Sequence, residues 1–231
     1  MASTSALQIR DLGFRYKPDG NGPWTVRVRA LELSAGEQAL LAGPSGQGKS
    51  TLLYLIAGLL DPQQGRVLVH GEEIHALRGA HRDRFRGQRI GMVFQTFHLL
   101  PGFSALQNVM AALMFSNVPG AEHRARAERL LRELGIDAPE APVEELSVGQ
   151  QQRVAVARAL ACEPALVLAD EPTASLDPAA RDAAMALLQG ACRAHGAALL
   201  VVSHDAALAA RFDRELTLSE ASEQPEGAAA P

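Results

Sequence analysis

The sequence predicts an α/β protein whose main sheet consists mainly of parallel strands. Three short apolar runs, at residues 38–42, 165–169 and 197–202, have the length and composition of strands buried on both faces of such a sheet. Segments of helical character alternate with these runs, and residues 96–162 are especially rich in predicted helices. Residues 6–34 instead have the character of antiparallel strands. We therefore expect a parallel core, an antiparallel β subdomain and an inserted α-helical subdomain.

A glycine-rich segment follows the first apolar run and has the spacing G-x-x-x-x-G-K-[ST]. It comprises Gly43, Pro44, Ser45, Gly46, Gln47, Gly48, Lys49, Ser50 and Thr51. Glycines allow the backbone N–H groups to turn toward an anion, and the helix that begins at Lys49 adds the positive end of its dipole. We expect Lys49 to reach the β and γ phosphates and Ser50 to hold Mg²⁺. The segment predicts a P-loop NTPase core.

Two carboxylates follow the second apolar run at its carboxyl end. Ligands of parallel α/β sheets bind at this edge, where Asp170 and Glu171 lie next to each other. Asp170 is suited to holding Mg²⁺ through water, and Glu171 is suited to polarising the attacking water. Taken alone, Asp-Glu-Pro would more often end a strand and begin a turn. The phosphate loop upstream favours the catalytic interpretation.

Two more polar residues follow predicted strands. His204 comes after residues 197–202, and Gln95 closes a strand predicted at residues 90–94. An imidazole at this edge is suited to contacting a γ-phosphate or orienting water, and an amide is suited to ligating Mg²⁺. Taken singly, each residue more often has a structural role.

The motifs, in their order along the chain, resemble the ATP-binding cassette (ABC) ATPase family over about residues 6–218. They are the phosphate loop, Gln95, a signature segment at residues 146–150, the Asp170–Glu171 pair, residues 175–177 and His204. The resemblance implies ATP hydrolysis with ATP and Mg²⁺ as cofactors. It implies catalytic roles for Glu171, His204, Lys49 and Gln95. It implies metal contacts from Ser50, Gln95 and Asp170.

The resemblance also implies roles for two residues outside the phosphate loop. Tyr16 matches the aromatic residue that stacks on adenine, although Trp24 is a weaker candidate for this role. A buried strand aromatic is the alternative interpretation of Tyr16. Asp177 lies where the two subunits of the family communicate.

The signature segment predicts a capped helix. Ser147 is a favourable N-cap, and Gln150 at the third helical position completes a capping box over a helix at about residues 148–161. In the family this helix start faces the γ-phosphate held by a second copy of the chain, so Ser147, Gly149 and Gln150 belong to a head-to-tail dimer site. An ordinary capped surface helix is the alternative. Val148 replaces the more usual glycine, which we expect to affect the hydrolysis rate more than ATP binding.

Residues 95–101 and 105–109 resemble the branch that serves lipoprotein release, macrolide-type export and cell-division permeases. This resemblance implies an export or mechanotransmission complex with a separate or fused permease, commonly of four spanning helices. Several apolar residues after Gln95 either receive the permease or pack internally: Phe97, Leu99, Leu100, Phe103 and Met110.

Composition narrows the remaining alternatives. The net charge of −4 offers nothing to bulk nucleic acid, which disfavours the competing hypothesis of a soluble ABC ATPase acting on nucleic acid or ribosomes. An inactive regulatory cassette is disfavoured because Lys49, Asp170, Glu171 and His204 are all present. No apolar run approaches the roughly 20 residues that span a bilayer, and no secretory signal is evident. We therefore expect a peripheral subunit on the cytoplasmic face of a bacterial-type inner membrane, attached through the permease.

Two segments complete the organisation. Five arginines between positions 78 and 89 either meet lipid headgroups or an acidic partner, or line a solvated helix face. Residues 219–231 lack periodicity and are rich in Glu, Ala, Pro and Ser, which predicts a disordered tail after one domain at residues 1–218.

Overall fold

The structure, a computed structural model, describes residues 5–17, 23–174, 176 and 178–218. The strands in these ranges are β1 (Leu7–Phe14), β2 (Val26–Leu33), β3 (Gln38–Ala42), β4 (Gln64–Val69), β5 (Glu72–Glu73), β6 (Ile90–Val93), β7 (Leu166–Asp170), β8 (Ala198–Ser203) and β9 (Arg214–Leu216). The α-helices are α1 (Lys49–Ile56), α2 (Gly79–Arg89), α3 (Ala105–Leu113), α4 (His123–Glu133), α5 (Val148–Leu160) and α6 (Pro178–Ala194). The predicted tail at residues 219–231 lies outside the described residues.

Five strands form a parallel sheet in the order β6-β7-β8-β3-β9. Strands β7 and β8 are buried along their whole length, and β3 is buried except at its last residue. Both faces are covered, which explains why these strands are continuous apolar runs. The predicted α/β class with a parallel core is confirmed.

The other sheet is antiparallel, in the order β2-β1-β4-β5. Exposed and buried residues alternate along β2, as expected when one face of a sheet packs on the core and the other meets water. Strand β4, from a later segment, pairs with β1 in the register Leu7 to Val69. An apolar cluster that includes Leu52, Leu53 and Leu55 of α1 lies between the two sheets. The phosphate-loop helix is therefore enclosed by both sheets.

The remaining helices build two further apolar clusters. One contains residues of α5, α6, β7 and β8 and covers the other face of the parallel sheet. The other joins α3, α4 and α5 and includes Leu106, Leu130 and Val154. Helix α5 contributes to both clusters, because it lies between the parallel sheet and the inserted helices.

Helix ends differ slightly from the sequence expectation. Helix α5 was expected to extend to about residue 161 and ends at Leu160, with Ala161 as its C-cap. Helix α2 has no buried residue, so its arginines belong to an exposed helix. In the described part of the chain, no helix has both the length and the apolar character required to cross a membrane.

Candidate functional site

The phosphate loop connects β3 to α1 and requires glycine at its last turn. Gly48 is the N-cap of α1 with φ 87°, and a Cβ there would lie 2.4 Å from the Thr25 carbonyl oxygen. No side chain caps α1, so its first N–H groups are not satisfied by a capping residue. The Lys49 Nζ donates to the carbonyl oxygens of Gly43 at 2.7 Å and Pro44 at 2.8 Å. The loop thus places the uncapped amino end of α1 next to the positive charge of Lys49, as a polyphosphate site requires.

A hydroxyl and a carboxylate meet beside this loop. The Ser50 Oγ donates to Asp170 Oδ1 at 2.9 Å, and Asp170 ends β7 in a buried position. Burial, with the nearby Glu171 carboxylate, raises the pKa of Asp170, while the Ser50 hydrogen bond and Lys49 oppose the rise. Hard oxygen donors at the edge of a phosphate site fit Mg²⁺, which commonly uses one or two carboxylates together with substrate phosphates.

Glu171 is fixed by three hydrogen bonds from β8 and the residue after it. Its Oε2 accepts from the Ser203 hydroxyl at 3.0 Å, and its Oε1 lies 3.0 Å from the His204 backbone N and 2.6 Å from His204 Nδ1. Its backbone has φ 46°, a left-handed conformation that is uncommon outside glycine. Ser203, which is 2% exposed, was not predicted from the sequence, because its contact with Glu171 depends on the pairing of β7 with β8.

One cavity of about 450 Å³ brings together most of the predicted catalytic and ATP-binding residues. Its lining includes Tyr16, Gln95, Glu171 and His204, together with six residues of the phosphate loop: Ser45, Gly46, Gly48, Lys49, Ser50 and Thr51. Gly43, Pro44 and Gln47 belong to the same loop but are not part of this lining. Distant strands therefore converge on one pocket at the carboxyl edge of the sheet, as parallel topology predicts.

Tyr16 is the aromatic residue at the mouth of this cavity. Its side chain is 62% exposed, so the alternative of a buried strand aromatic is wrong. Its hydroxyl lies 3.1 Å from Thr51 Oγ1, and its ring meets Phe14 edge to face. Trp24 is less available, because the Arg15 guanidinium lies over its ring at 3.8 Å.

The signature residues lie elsewhere on the chain. Ser147 and Gly149 line a different cavity of about 400 Å³ between α5 and α6, together with Val148, which is 52% exposed. The predicted capping box is present: Ser147 Oγ accepts from the Gln150 backbone N at 3.3 Å, and Gln150 Oε1 accepts from the Ser147 backbone N at 2.9 Å. Asp177 lies outside the described residues.

The apolar residues predicted after Gln95 separate into two groups. Phe97 is only 6% exposed, and Leu99 and Met110 pack against the helical cluster, so their alternative of internal packing holds. Leu100 and Phe103 remain exposed. A groove of about 380 Å³ opens instead between α2, β6, α3 and α5, and it was missed because its walls come from distant segments. Leu59 and Phe115, both about half exposed, line it.

Two arginines of α2 form ion pairs, one with a residue outside the helix and one within it. Arg82 pairs with Asp61 at 2.8 Å, and Arg86 pairs with Asp83 at the same distance. Arg84 and Arg89 are exposed on the same helix. Arg84 and Arg89 thus lie on a solvated helix face, whereas the Arg82 side chain is only 13% exposed.

Comparison with known proteins agrees with this geometry. The family model described as ABC transporter matches residues 27–174. The lipoprotein-releasing system ATP-binding protein LolD of Pseudomonas fluorescens is 42% identical over 224 residues, covering 95% of this chain and 97% of that protein. The LolD of Anaeromyxobacter dehalogenans is 51% identical over 191 residues, covering 81% of this chain and 80% of that protein.

A solved structure shares the fold over nearly the same span. The dimeric post-hydrolysis state of the ATP-binding cassette MJ0796, bound to ADP and Pi, superposes with a TM-score of 0.79 at 34% identity. The match covers 91% of this chain and 93% of the MJ0796 chain. A phosphate loop, a carboxylate pair, a capped signature helix and these matches over most of the chain lead to one conclusion: the chain belongs to the ABC transporter family as an ATP-binding and ATP-hydrolysing subunit.

Proposed function

We propose that this subunit powers a lipoprotein-release or macrolide-export type of membrane complex through ATP-driven, head-to-tail dimerisation. Relatives named as lipoprotein-releasing ATP-binding proteins support the branch, and the dimeric MJ0796 cassette supports the assembly. The alternative, a soluble ABC ATPase acting on nucleic acid or ribosomes, finds no support in these relatives. We also propose that residues 1–218 form one nucleotide-binding domain with a helical subdomain at about residues 96–162.

The arrangement around Glu171 carries the proposal. Glu171 is the general base, held by Ser203 and His204 so that it faces the cavity that the phosphate loop lines. His204 contacts the γ-phosphate, and Lys49 neutralises charge on the β and γ phosphates. The phosphate loop from Gly43 to Thr51 holds the polyphosphate, and Tyr16 stacks on adenine.

Ser50, Asp170 and Gln95 would hold Mg²⁺. Ser50 and Asp170 are already in hydrogen-bond contact, and Gln95 lines the same cavity. When bound, the metal neutralises charge that develops on the phosphate oxygens. Gln95 adds an amide that is suited to orienting the attacking water.

The second half of each ATP site comes from a second copy of the chain. Within the described part of one chain, Ser147 and Gly149 line a cavity separate from the one lined by Glu171. Helix α5 carries the capped, positively polarised end that an anion favours, with Gln150 completing the cap. We propose that Ser147, Gly149 and Gln150 complete the partner's ATP site and that Asp177 links the two sites.

We propose that the subunit lies at the cytoplasmic face of a bacterial-type inner membrane, attached to a permease that is commonly of four spans, with no nucleic acid partner. The groove between α2, β6, α3 and α5 offers the docking surface for a cytoplasmic segment of that permease. Its lining is mainly apolar, and the exposed Leu59 and Phe115 stand at its edge.

Replacing the general base tests the dimer mechanism. Glu171→Gln removes the base but keeps the pocket shape, so ATP should bind and persist between two copies. With saturating Mg²⁺-ATP, we expect size-exclusion chromatography with light scattering to give twice the 24.5 kDa mass of one chain. The double variant Glu171→Gln with Ser147→Ala is the control, and it should stay monomeric. A monomeric Glu171→Gln variant under saturating Mg²⁺-ATP contradicts the mechanism.

A further inference from the structure

Arg158, near the end of α5, holds the backbone that follows Gln95. Its guanidinium donates to the carbonyl oxygen of Phe97 at 2.6 Å and to that of His98 at 2.5 Å. Among the ion pairs of the described residues, none includes Arg158, so main-chain oxygens rather than a carboxylate hold this half-buried cation. A planar fork with several donors is suited to fixing two adjacent carbonyls at once.

The backbone that Arg158 holds is unusual. Phe97 has φ 58° and His98 has φ 46°, so two consecutive non-glycine residues are left-handed. L-residues avoid this conformation because Cβ crowds the following carbonyl, and surrounding contacts must maintain it. The Phe97 N–H donates to the Phe94 carbonyl at 3.0 Å, and the His98 ring lies 4.5 Å from the Phe94 ring. Gln95 therefore lies in a tight turn between β6 and the clamped pair.

Helix α5 also contacts the strand that leads into this turn. A Cβ on Gly91 of β6 would lie 2.3 Å from the Ala159 carbonyl oxygen, so helix and strand touch backbone to backbone. Arg158 is the residue next to Ala159 on the same helix. The strand before Gln95 and the backbone after it are thus both fixed by one turn of α5.

We propose that Arg158 is a positioning residue for hydrolysis, holding the turn that places Gln95 at Mg²⁺ and the attacking water. This inference rests on the proposed role of Gln95. Because α5 is one 13-residue helix that begins at Val148, directly after its N-cap Ser147, the clamp also joins the signature end to the Gln95 turn of the same chain. Any displacement of α5 then moves the turn that contains Gln95.

Substitution of Arg158 tests whether this residue positions Gln95 or only stabilises the fold. Arg158→Met removes the donors and keeps an unbranched side chain, so we expect kcat to fall about tenfold or more and the Mg²⁺ concentration for half-maximal rate to rise about tenfold. ATP affinity measured with EDTA should stay within about twofold, because it depends on the phosphate loop. Arg158→Lys should recover part of both losses, and it serves as the test if the methionine variant does not fold.

Arg126→Met is the matched control. Arg126 on α4 also donates to a main-chain carbonyl at the end of α5, that of Ala161 at 2.8 Å, and it does not touch the Gln95 turn. We expect it to affect thermal stability without changing the Mg²⁺ dependence. If Arg126→Met shifts the Mg²⁺ dependence as much as Arg158→Met, the effect is general loosening of α5 and the inference is overturned.

A double-mutant cycle with Gln95→Ala shows whether Arg158 acts through Gln95. If it does, Arg158→Met adds little to the kcat and Mg²⁺ defects of Gln95→Ala, whereas independent effects multiply. Multiplying effects overturn the inference, as does an unchanged Arg158→Met beside a defective Gln95→Ala. A Gln95→Ala variant with wild-type Mg²⁺ dependence contradicts the proposed function of Gln95 itself, which is a distinguishable failure.

Discussion

The buried carboxylate of Asp170 in the nucleotide site lowers the stability of the folded protein at neutral pH. The carboxylate is buried next to Glu171, and burial raises its pKa. A raised pKa in the folded state means that the folded protein binds the proton more tightly than the unfolded chain does. The stability that arises from this tighter proton binding is present at acid pH and is lost as the pH rises through the pKa of Asp170 in the folded protein.

Asp170→Asn is therefore expected to raise the free energy of unfolding at pH 7.5 in nucleotide-free protein, because it removes a buried charge and keeps an acceptor for Ser50. The gain should shrink as the pH falls toward the ordinary carboxyl pKa of about 3.9, where the wild-type side chain is also neutral. Urea unfolding at both pH values measures it, with the exposed Asp137→Asn as control. If Asp170→Asn does not raise the free energy of unfolding at pH 7.5, this account is contradicted. The same variant should also lose Mg²⁺-dependent ATP hydrolysis.

At the residue scale, motif spacing predicted which residues form the nucleotide site. This was possible because the phosphate loop and the carboxylates at the end of a strand are short, contiguous sequence patterns. Ser203 and Arg158 were not predicted. Their roles depend on the oxygen atoms that the fold places beside them: the Glu171 carboxylate for Ser203, and the carbonyl oxygens of Phe97 and His98 for Arg158. These partners lie far away in the sequence, so no local pattern predicts the contacts.

At the element scale, two helices begin with the same capping box. Ser104 with Gln107 caps α3, and Ser147 with Gln150 caps α5. Both boxes are readable from the spacing Ser-x-x-Gln. The helix ends have no such signature: α3 ends at Leu113, and α4 begins at His123, directly after a 3₁₀ turn at Gly120–Glu122.

The matched caps allow a discriminating experiment. Ser104→Ala and Ser147→Ala should each lower the free energy of unfolding by about 1 kcal/mol, because each removes one capping acceptor. Only Ser147→Ala should lose ATP-driven dimerisation when it is placed in the Glu171→Gln background and measured by light scattering. Equal loss of the dimer in both variants would assign the effect to helix stability rather than to contact with the partner's nucleotide.

At the scale of the whole molecule, sequence patterns predicted the parallel sheet but not the apolar groove. The order of the motifs at the strand ends can be read directly from the sequence. The groove cannot, because its walls come from Leu59, β6, α3 and α5, which meet only in the folded protein. The exposed residues Leu100 and Phe103 do not line it.

Leu59→Glu is accordingly expected to weaken assembly with the cognate permease, because a charge in the groove opposes burial of an apolar segment. Phe103→Glu is the control, since Phe103 is similarly exposed outside the groove. Co-purification of the permease from detergent extracts measures assembly, and nucleotide-driven self-association should be unchanged in both variants. Loss with Phe103→Glu but not with Leu59→Glu would relocate the docking surface to the segment first suspected from sequence.

The position of β3 in the parallel sheet has a consequence for biosynthesis. Its two neighbours are β8 and β9, which are the last strands of the described chain to leave the ribosome. A nascent polypeptide that contains the glycine-rich loop but not yet β8 and β9 therefore lacks both hydrogen-bonded neighbours of β3, the strand that precedes the loop. We therefore expect ATP binding only after residues 198–216 have been synthesised.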